Sequence, residues 1–338
     1  LLLENKPENL PPLKVVAFLD MRPGHRKQTQ GIVNALSRLT PVELFPVNMG
    51  EPAPGSSVGQ AFGYFGAALG LPGGVKTGKG VHPPLPEKPD IIIGAGSRTH
   101  FPMLTLRRRR GGRAVTCMTP NWPLGSLMDL CCVPAHDEPP AKGNIFVTLG
   151  PPNTASSLGS HDNGKGLIAV GGVDEKTHDW EPRHITGCVE AILKKMPGVF
   201  WSITTSPRTP PSMEPLLAGL SGHFENAAFF PFRKTAPGWV EERYAESGYA
   251  WVTADSVSMV YEALSAGCLT GIIPVQWKKP DSRLARSIFL VENKGLALNY
   301  SKWEKNPLAW PQATKLDEAW RCAREILRRF FPERLEGA

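Results

Sequence analysis

The chain has 338 residues, 41% hydrophobic and 20% charged, with a formal net charge of +7. That length and balance predict two globular domains of ~150 residues each, and no apolar run is long enough to span a membrane. The positive charge favours anionic partners, but no RNA-recognition, KH or zinc-finger signature is present, so nucleic acid is not an expected partner.

In chain order, Lys14–Leu19 reads as a buried strand, followed by the loop Asp20-Met-Arg-Pro-Gly-His25 and a helix over 28–39 with apolar Ile32, Val33, Leu36 and Leu39. His25 stands at a helix start, where the positive dipole end favours the neutral imidazole, the form that serves as a general base. The plainer reading is a surface histidine at a helix cap. Val42–Val47 is a second strand. Residues 61–72 form an apolar, Gly-rich insert followed by Lys76 and Lys79, which is either a membrane-facing or lipid-acceptor loop or a core helix. Asp90–Ile93 is a third strand. It runs into the turn Gly94–His100, where Ser97, Arg98 and His100 stand near an anionic or hydroxylated ligand, and then into a helix over Met103–Arg110. Arg107–Arg110 reads as a solvated helix end, with anionic lipid as the less common alternative. Ala114–Met118, Leu130–Val133 and Ile145–Thr148 are further strands, and His136-Asp137-Glu138 is read as a turn.

Residues 149–164, rich in Gly, Pro, Ser and Asn, mark a linker. Beyond it come strand Gly166–Val170, the loop Gly171-Gly172-Val173-Asp174, a helix over 183–196 and strand Val199–Thr204. The loop Thr205-Ser206-Pro207-Arg208 follows. Tyr249–Thr253 is a strand whose polar turn leads to a helix from Val257, capped by Asp255 or Ser256 and ended by Gly267. Leu269–Val275 is a buried strand closed by Pro274. Strand and helix alternate throughout, predicting an α/β chain with two parallel sheets covered by helices. The domains are expected over 14–150 and 160–312. An amphipathic helix over 315–331 is expected to cross back and brace the first.

Ligands of open α/β sheets bind beyond the carboxyl ends of the strands. Three loops converge there in the second half: Gly171-Gly172, Thr204-Thr205-Ser206-Pro207-Arg208, and Asp255-Ser256-Val257-Ser258-Met259. Free amides at a helix start favour phosphate, and Arg208 is suited to clamp one. Ser258 and Glu262, four apart, share a helix face, which suits a phosphate at the helix start and a ribose diol on the carboxylate. The plainer reading is an ordinary βαβ unit with a solvated Glu262. No Asp-x-Asp, Walker loop or Gly-x-Ser-x-Gly elbow occurs, so no metal and no cofactor are expected, and Arg208 with backbone amides would neutralise a leaving phosphate. The six cysteines form no CxxC pair and no metal-ligand spacing, a reduced pattern that points to the cytoplasm. The start Leu1–Leu3 lacks a basic segment and a Met and reads as trimmed.

Several motifs together carry a resemblance: Asp20-x-x-Pro-Gly24-His25-x-x-Gln28, Thr119-Pro-Asn121-Trp122, Gly171-Gly-Val-Asp174, Thr204-Thr-Ser-Pro-Arg-Thr209, and Asp255-Ser-Val-Ser-Met259 with Glu262. Over roughly 14–300 the chain resembles the bacterial branch of the elongated-mitochondria (mitochondrial fission) family, regarded as glycosyltransferases. The layout is also similar to GT-B enzymes such as the peptidoglycan glycosyltransferase that makes lipid II. The resemblance implies two Rossmann-like domains facing a cleft. It implies a nucleotide-sugar donor as substrate and His25 on the acceptor side as general base, with Asp20, Gly24, Gln28, Ser97, Arg98 and Asn121 nearby. Glu262 would hold the donor ribose. The acceptor would be a hydroxyl, on a lipid-linked cell-envelope glycan at the inner membrane face. The chain departs from that pattern in having one Gly before His25 and Lys278–Arg286 in place of a Gln-rich stretch. Two other readings stand beside it: a sugar-nucleotide epimerase on the same fold, and a non-catalytic interaction protein of the fission type.

Overall fold

The computed structural model describes residues 10–50, 84–120, 123–155, 159–311 and 316–335. The insert at 61–72, Lys76, Lys79, Asn121 and Trp122 lie outside them. The first strands and helices are β1 (Leu13–Leu19), α1 (Pro23–Leu39), β2 (Val42–Asn48), β3 (Ile91–Gly94), α2 (Ser97–Arg110), β4 (Arg113–Thr116), β5 (Leu130–Pro134) and β6 (Ile145–Thr148). There follow β7 (Asp162–Ala169), β8 (His178–Asp179), α3 (Pro182–Lys195), β9 (Phe200–Thr204), α4 (Met213–His223), β10 (Ala227–Phe230), α5 (Trp239–Glu246) and β11 (Ser247–Thr253). The last are α6 (Val257–Ala266), β12 (Leu269–Ile273), β13 (Gln276–Trp277), α7 (Arg283–Asn293), β14 (Ala297–Asn299), α8 (Tyr300–Lys305) and α9 (Glu318–Phe330). The chain divides into two compact units, Leu1–Thr154 with Glu318–Ala338, and Ala155–Asp317.

The first unit is a six-stranded parallel sheet in the order β2-β1-β3-β4-β5-β6. Its central strands are continuous apolar runs because helices cover both faces. Val15, Ala17, Ile91 and Ile93 meet Ile32 and Leu36 of α1 on one face. Val16, Phe18 and Ile92 meet Met103, Leu104 and Leu106 of α2 on the other. α9 returns to the first face, as the amphipathic pattern predicts, and buries Cys322, Ala323, Ile326 and Leu327 there. Ile326 and Leu327 each contribute ~1.5–3 kcal/mol by leaving water. Beyond α9, Arg334 donates to Thr40 Oγ1 at 2.9 Å and to the Pro11 carbonyl at 2.8 Å.

Two helices begin earlier than the apolar periodicity suggests. α1 starts at Pro23 rather than 28, because a first-turn proline has its φ already set and no N–H to lose. α2 starts at Ser97 rather than 103 and carries Pro102 inside it on a buried position.

The second unit is another parallel sheet, ordered β10-β9-β7-β11-β12-β14, beside the antiparallel ribbon β8–β13. α3, α4 and α8 pack on one face around Trp201, Trp251 and Trp303. α6 is buried over Val260–Ala266, and Gly267 ends it with φ +94. β12 stops at Ile273, two residues short of the expected Val275, because Pro274 cannot donate to a ladder. No helix among the described residues is long and apolar enough to cross a membrane.

Candidate functional site

β1 ends at Leu19 and hands the chain to Asp20, whose side chain is 2% exposed. Its Oδ2 lies 2.7 Å from His25 Nδ1, and its Oδ1 accepts the Met21 N–H at 2.8 Å and lies 3.6 Å from Arg98 Nη1. His25 is therefore not in a loop ahead of the helix but in the first turn of α1, gripped by the last carboxylate of β1. With Nδ1–H donating to Asp20, the lone pair of the imidazole sits on Nε2, the tautomer a general base requires. Arg98, also a donor to the Gly50 carbonyl, steadies the carboxylate from α2.

Gly96 closes against this pair. Its φ is +98, and a Cβ there would stand 2.4 Å from His25 Nδ1 and 2.7 Å from Asp20 Oδ2. Its N–H meets Met118 Sδ at 3.1 Å. Gly24, by contrast, has open space where a side chain would be. Ser97 is the first residue of α2, and Gln28 lies three residues beyond His25 on α1. His100 corrects an expectation: it lies not in an open loop but in α2, buried with Nε2 3.1 Å from Thr116 Oγ1. Burial, reinforced by the nearby His25 charge, pulls its pKa down to about 4.

In the second unit the three predicted loops do meet, and Asp255 joins them. Its side chain is fully buried. Oδ2 accepts the Gly172 N–H at 2.9 Å and Arg208 Nη2 at 2.9 Å. Burial raises its pKa, and the Gly172 amide, Thr253, Arg208 and His178 act against that rise. The Gly171 N–H goes to Thr253 Oγ1 at 2.7 Å. Both glycine amides thus bond within the protein instead of cradling an anion. Gly172 is required for another reason: a Cβ there would stand 2.1 Å from the Arg208 carbonyl. Thr204 and Thr205 are also engaged internally, with the Phe230 carbonyl at 2.8 Å and the Phe232 N–H at 3.0 Å. Ser206 Oγ accepts the Arg208 N–H at 3.3 Å, and Arg208 remains 43% exposed.

α6 starts at the carboxyl end of β11 with no side-chain cap. Neither Asp255 nor Ser256 caps it, because the Asp255 carboxylate is turned to Gly172 and Arg208. Among the described residues no cap side chain takes its first-turn amides, and an uncapped helix start suits an anion or water. Ser258 in that turn is exposed, and the carbonyl of Met259 accepts the Tyr244 hydroxyl at 3.2 Å. Glu262 corrects the solvated-face reading: it is only 4% exposed. Its charge adds to burial in pushing the Tyr244 hydroxyl up.

Three positioning residues escaped the sequence reading, Gly96, Thr253 and His178, and Thr209 was read only as part of the loop motif Thr204–Thr209. Thr209 Oγ1 accepts the Ser206 N–H at 2.8 Å and donates to the Val170 carbonyl at 3.1 Å. His178 Nε2 lies 3.0 Å from the Gly172 carbonyl. Gly96 had a signal in the Gly-x-Gly between strand and helix and Thr209 in the Thr204–Thr209 motif; Thr253 and His178 had none. Among the described residues no group of three or more His, Cys, Asp or Glu side chains is arranged to hold a metal.

A family model described as mitochondrial fission ELM1 matches residues 23–330. No curated protein sequence matches the chain significantly. A Listeria monocytogenes structure, assigned as a UDP-N-acetylglucosamine 2-epimerase, is similar at TM-score 0.54 and 14% identity, covering 97% of this chain and 98% of that one. At this identity the likeness shows the fold, two Rossmann-like α/β units. The S. aureus MnaA–UDP co-structure has TM-score 0.49 and 13% identity over 96% and 91% of the two chains. Spinosyn rhamnosyltransferase SpnG has 0.43 and 14% over 95% and 96%.

Proposed function

We propose, for a chain that belongs to the mitochondrial fission ELM1 family, that it is a metal-independent GT-B glycosyltransferase moving a sugar from a nucleotide-sugar donor to a hydroxyl acceptor. The observation that carries this reading is Arg208, held by buried Asp255 next to the uncapped start of α6. A guanidinium fixed by a carboxylate keeps further N–H donors for a phosphate, and the α6 amides add a partial positive charge. The shared fold makes UDP-sugars the first donors to try.

In the reaction the acceptor oxygen forms a bond to the anomeric carbon as the bond from that carbon to the phosphate oxygen breaks. The acceptor proton passes to His25 Nε2, and Asp20 steadies the imidazolium that results. Arg208 and the amides of Ser258 and Met259 receive the charge on the departing nucleoside diphosphate. The proposed place of Glu262 is at the donor ribose, with Gly24, Gln28, Ser97, Arg98 and Asn121 on the acceptor side. A lipid-linked cell-envelope glycan at the cytoplasmic face of the inner membrane is the proposed acceptor. An anionic membrane surface then suits the net charge of +7.

The test is His25→Ala. Donor affinity stays near wild type while turnover falls ~10²–10⁴-fold, the range of a positioned general base. A helix-start role alone predicts ~1 kcal/mol of lost stability with activity kept. The epimerase reading draws on the same shared fold, and product formed from the donor without any acceptor would select it.

A further inference from the structure

A cavity of about 300 Å³ opens in the second unit where β12 ends. Asp179 and Gln276 of the ribbon form one wall, and Glu181, His184 and Ile185 at the start of α3 another. Pro274 and Val275, directly after β12, complete it. The volume is at the small end for ligand sites, enough for one sugar ring and too small for a whole nucleotide.

The lining is mixed in a way that suits a pyranose. Carboxylates accept hydroxyl hydrogens, the Gln276 amide both donates and accepts, and Ile185, Pro274 and Val275 offer an apolar surface to ring C–H groups. Lys278 Nζ lies 3.2 Å from Asp179 Oδ1, so Asp179 is balanced and Glu181 leaves the lining net negative. The cavity is also wired to the phosphate clamp. His178, next to Asp179 in β8, bonds the Gly172 carbonyl, the Gly172 amide bonds Asp255, and Asp255 holds Arg208.

We propose that this cavity receives the sugar ring of the donor, and that it takes an uncharged hexose in preference to one bearing a carboxylate. The proposal rests on the nucleotide-sugar reading and adds the class of sugar. A carboxylate on the ring would meet Glu181 in a lining that includes no Lys or Arg.

The experiment is calorimetry on the full chain with UDP, UDP-glucose and UDP-glucuronate, and with GDP, GDP-mannose and GDP-mannuronate. Wild type should bind the neutral sugar nucleotide more tightly than the bare diphosphate, and the acidic one more weakly. In Glu181→Gln the advantage of the neutral sugar should fall about tenfold, as expected for a lost charge-assisted hydrogen bond, and discrimination against the acidic sugar should narrow. Bare diphosphate affinity should not change. Gln276→Ala, on the opposite wall, gives a second reading if the first variant melts early. If both variants keep the wild-type ratio of sugar nucleotide to diphosphate, or if wild type prefers the acidic sugar, the cavity assignment is overturned while the donor reading stands. If no diphosphate or sugar nucleotide binds, both fall.

Discussion

Asp20→Asn separates a catalytic dyad from a structural contact. The carboxylate bonds the Met21 N–H through Oδ1 and His25 Nδ1 through Oδ2. An amide in its place must aim an oxygen at one neighbour and an NH2 at the other. If the oxygen stays with Met21, the NH2 faces Nδ1, which must then accept, and the ring proton moves to Nε2. That imidazole cannot take a proton where the reaction needs it. Comparable tautomer errors lower turnover by ~10⁴-fold. Arg98 also loses its counter-charge, but the pair is 3.6 Å apart and Arg98 is partly exposed, so a loss of ~1–3 kcal/mol is expected from the buried hydrogen bonds. The assay is nucleotide release from the donor, with donor affinity by calorimetry and melting on the same sample. Donor affinity should hold, turnover should fall ~10²–10⁴-fold and the melting temperature should drop by several degrees. Full turnover in the folded variant would refute the dyad.

Gly172→Ala should disrupt the donor loop and weaken nucleotide binding together with stability, because its Cβ would stand 2.1 Å from backbone atoms of Arg208. Gly24→Ala meets nothing within the protein and should stabilise by ~0.4–1 kcal/mol; lowered turnover at higher stability would mark Gly24 as a point of acceptor approach. His100 is lowered from 6.5 to about 4 in the folded state, so the unfolded chain takes up the proton first as pH falls. Its contribution is complete above 6.5 and is lost between there and about 4, by about 3 kcal/mol in all; His100→Gln should flatten urea-derived stability over that window. Donor binding and turnover should persist in excess EDTA, and a requirement restored by Mg²⁺ or Mn²⁺ would contradict the role given to Arg208.

The two parallel sheets were legible because central strands such as Val15–Phe18 and Ile91–Ile93 are β-branched or apolar runs, and turn residues punctuate them. The return of the last helix was legible from the stripe Trp320, Ala323, Ile326, Leu327 and Phe330. Short elements were not. β8 and β13 are two residues each, and β10 is Ala-Ala-Phe-Phe, with no period to read. The loops of the candidate site were legible as polar stretches after strands, but their internal bonding was not. Gly171-Gly172 reads as an anion cradle until Thr253 and Asp255 are seen to hold its amides. Asp255 reads as a helix cap until Arg208, far away in sequence, claims the same oxygen. Asp20 and His25 are only five apart, yet their pairing depends on where α1 begins.

The central claim is that the second unit binds a nucleotide-sugar through Arg208 and the start of α6. The most direct measurement is the melting temperature of wild type and Arg208→Ala with UDP, GDP and their sugar forms. A ligand at 100 times its Kd stabilises the folded state by about 2.7 kcal/mol, so wild type should melt several degrees higher with the matching nucleotide. Arg208→Ala should melt lower than wild type without ligand, because buried Asp255 loses its cation, and should lose most of the rise that ligand brings. No change in wild type with any of these nucleotides, or an equal rise in Arg208→Ala, would contradict the account.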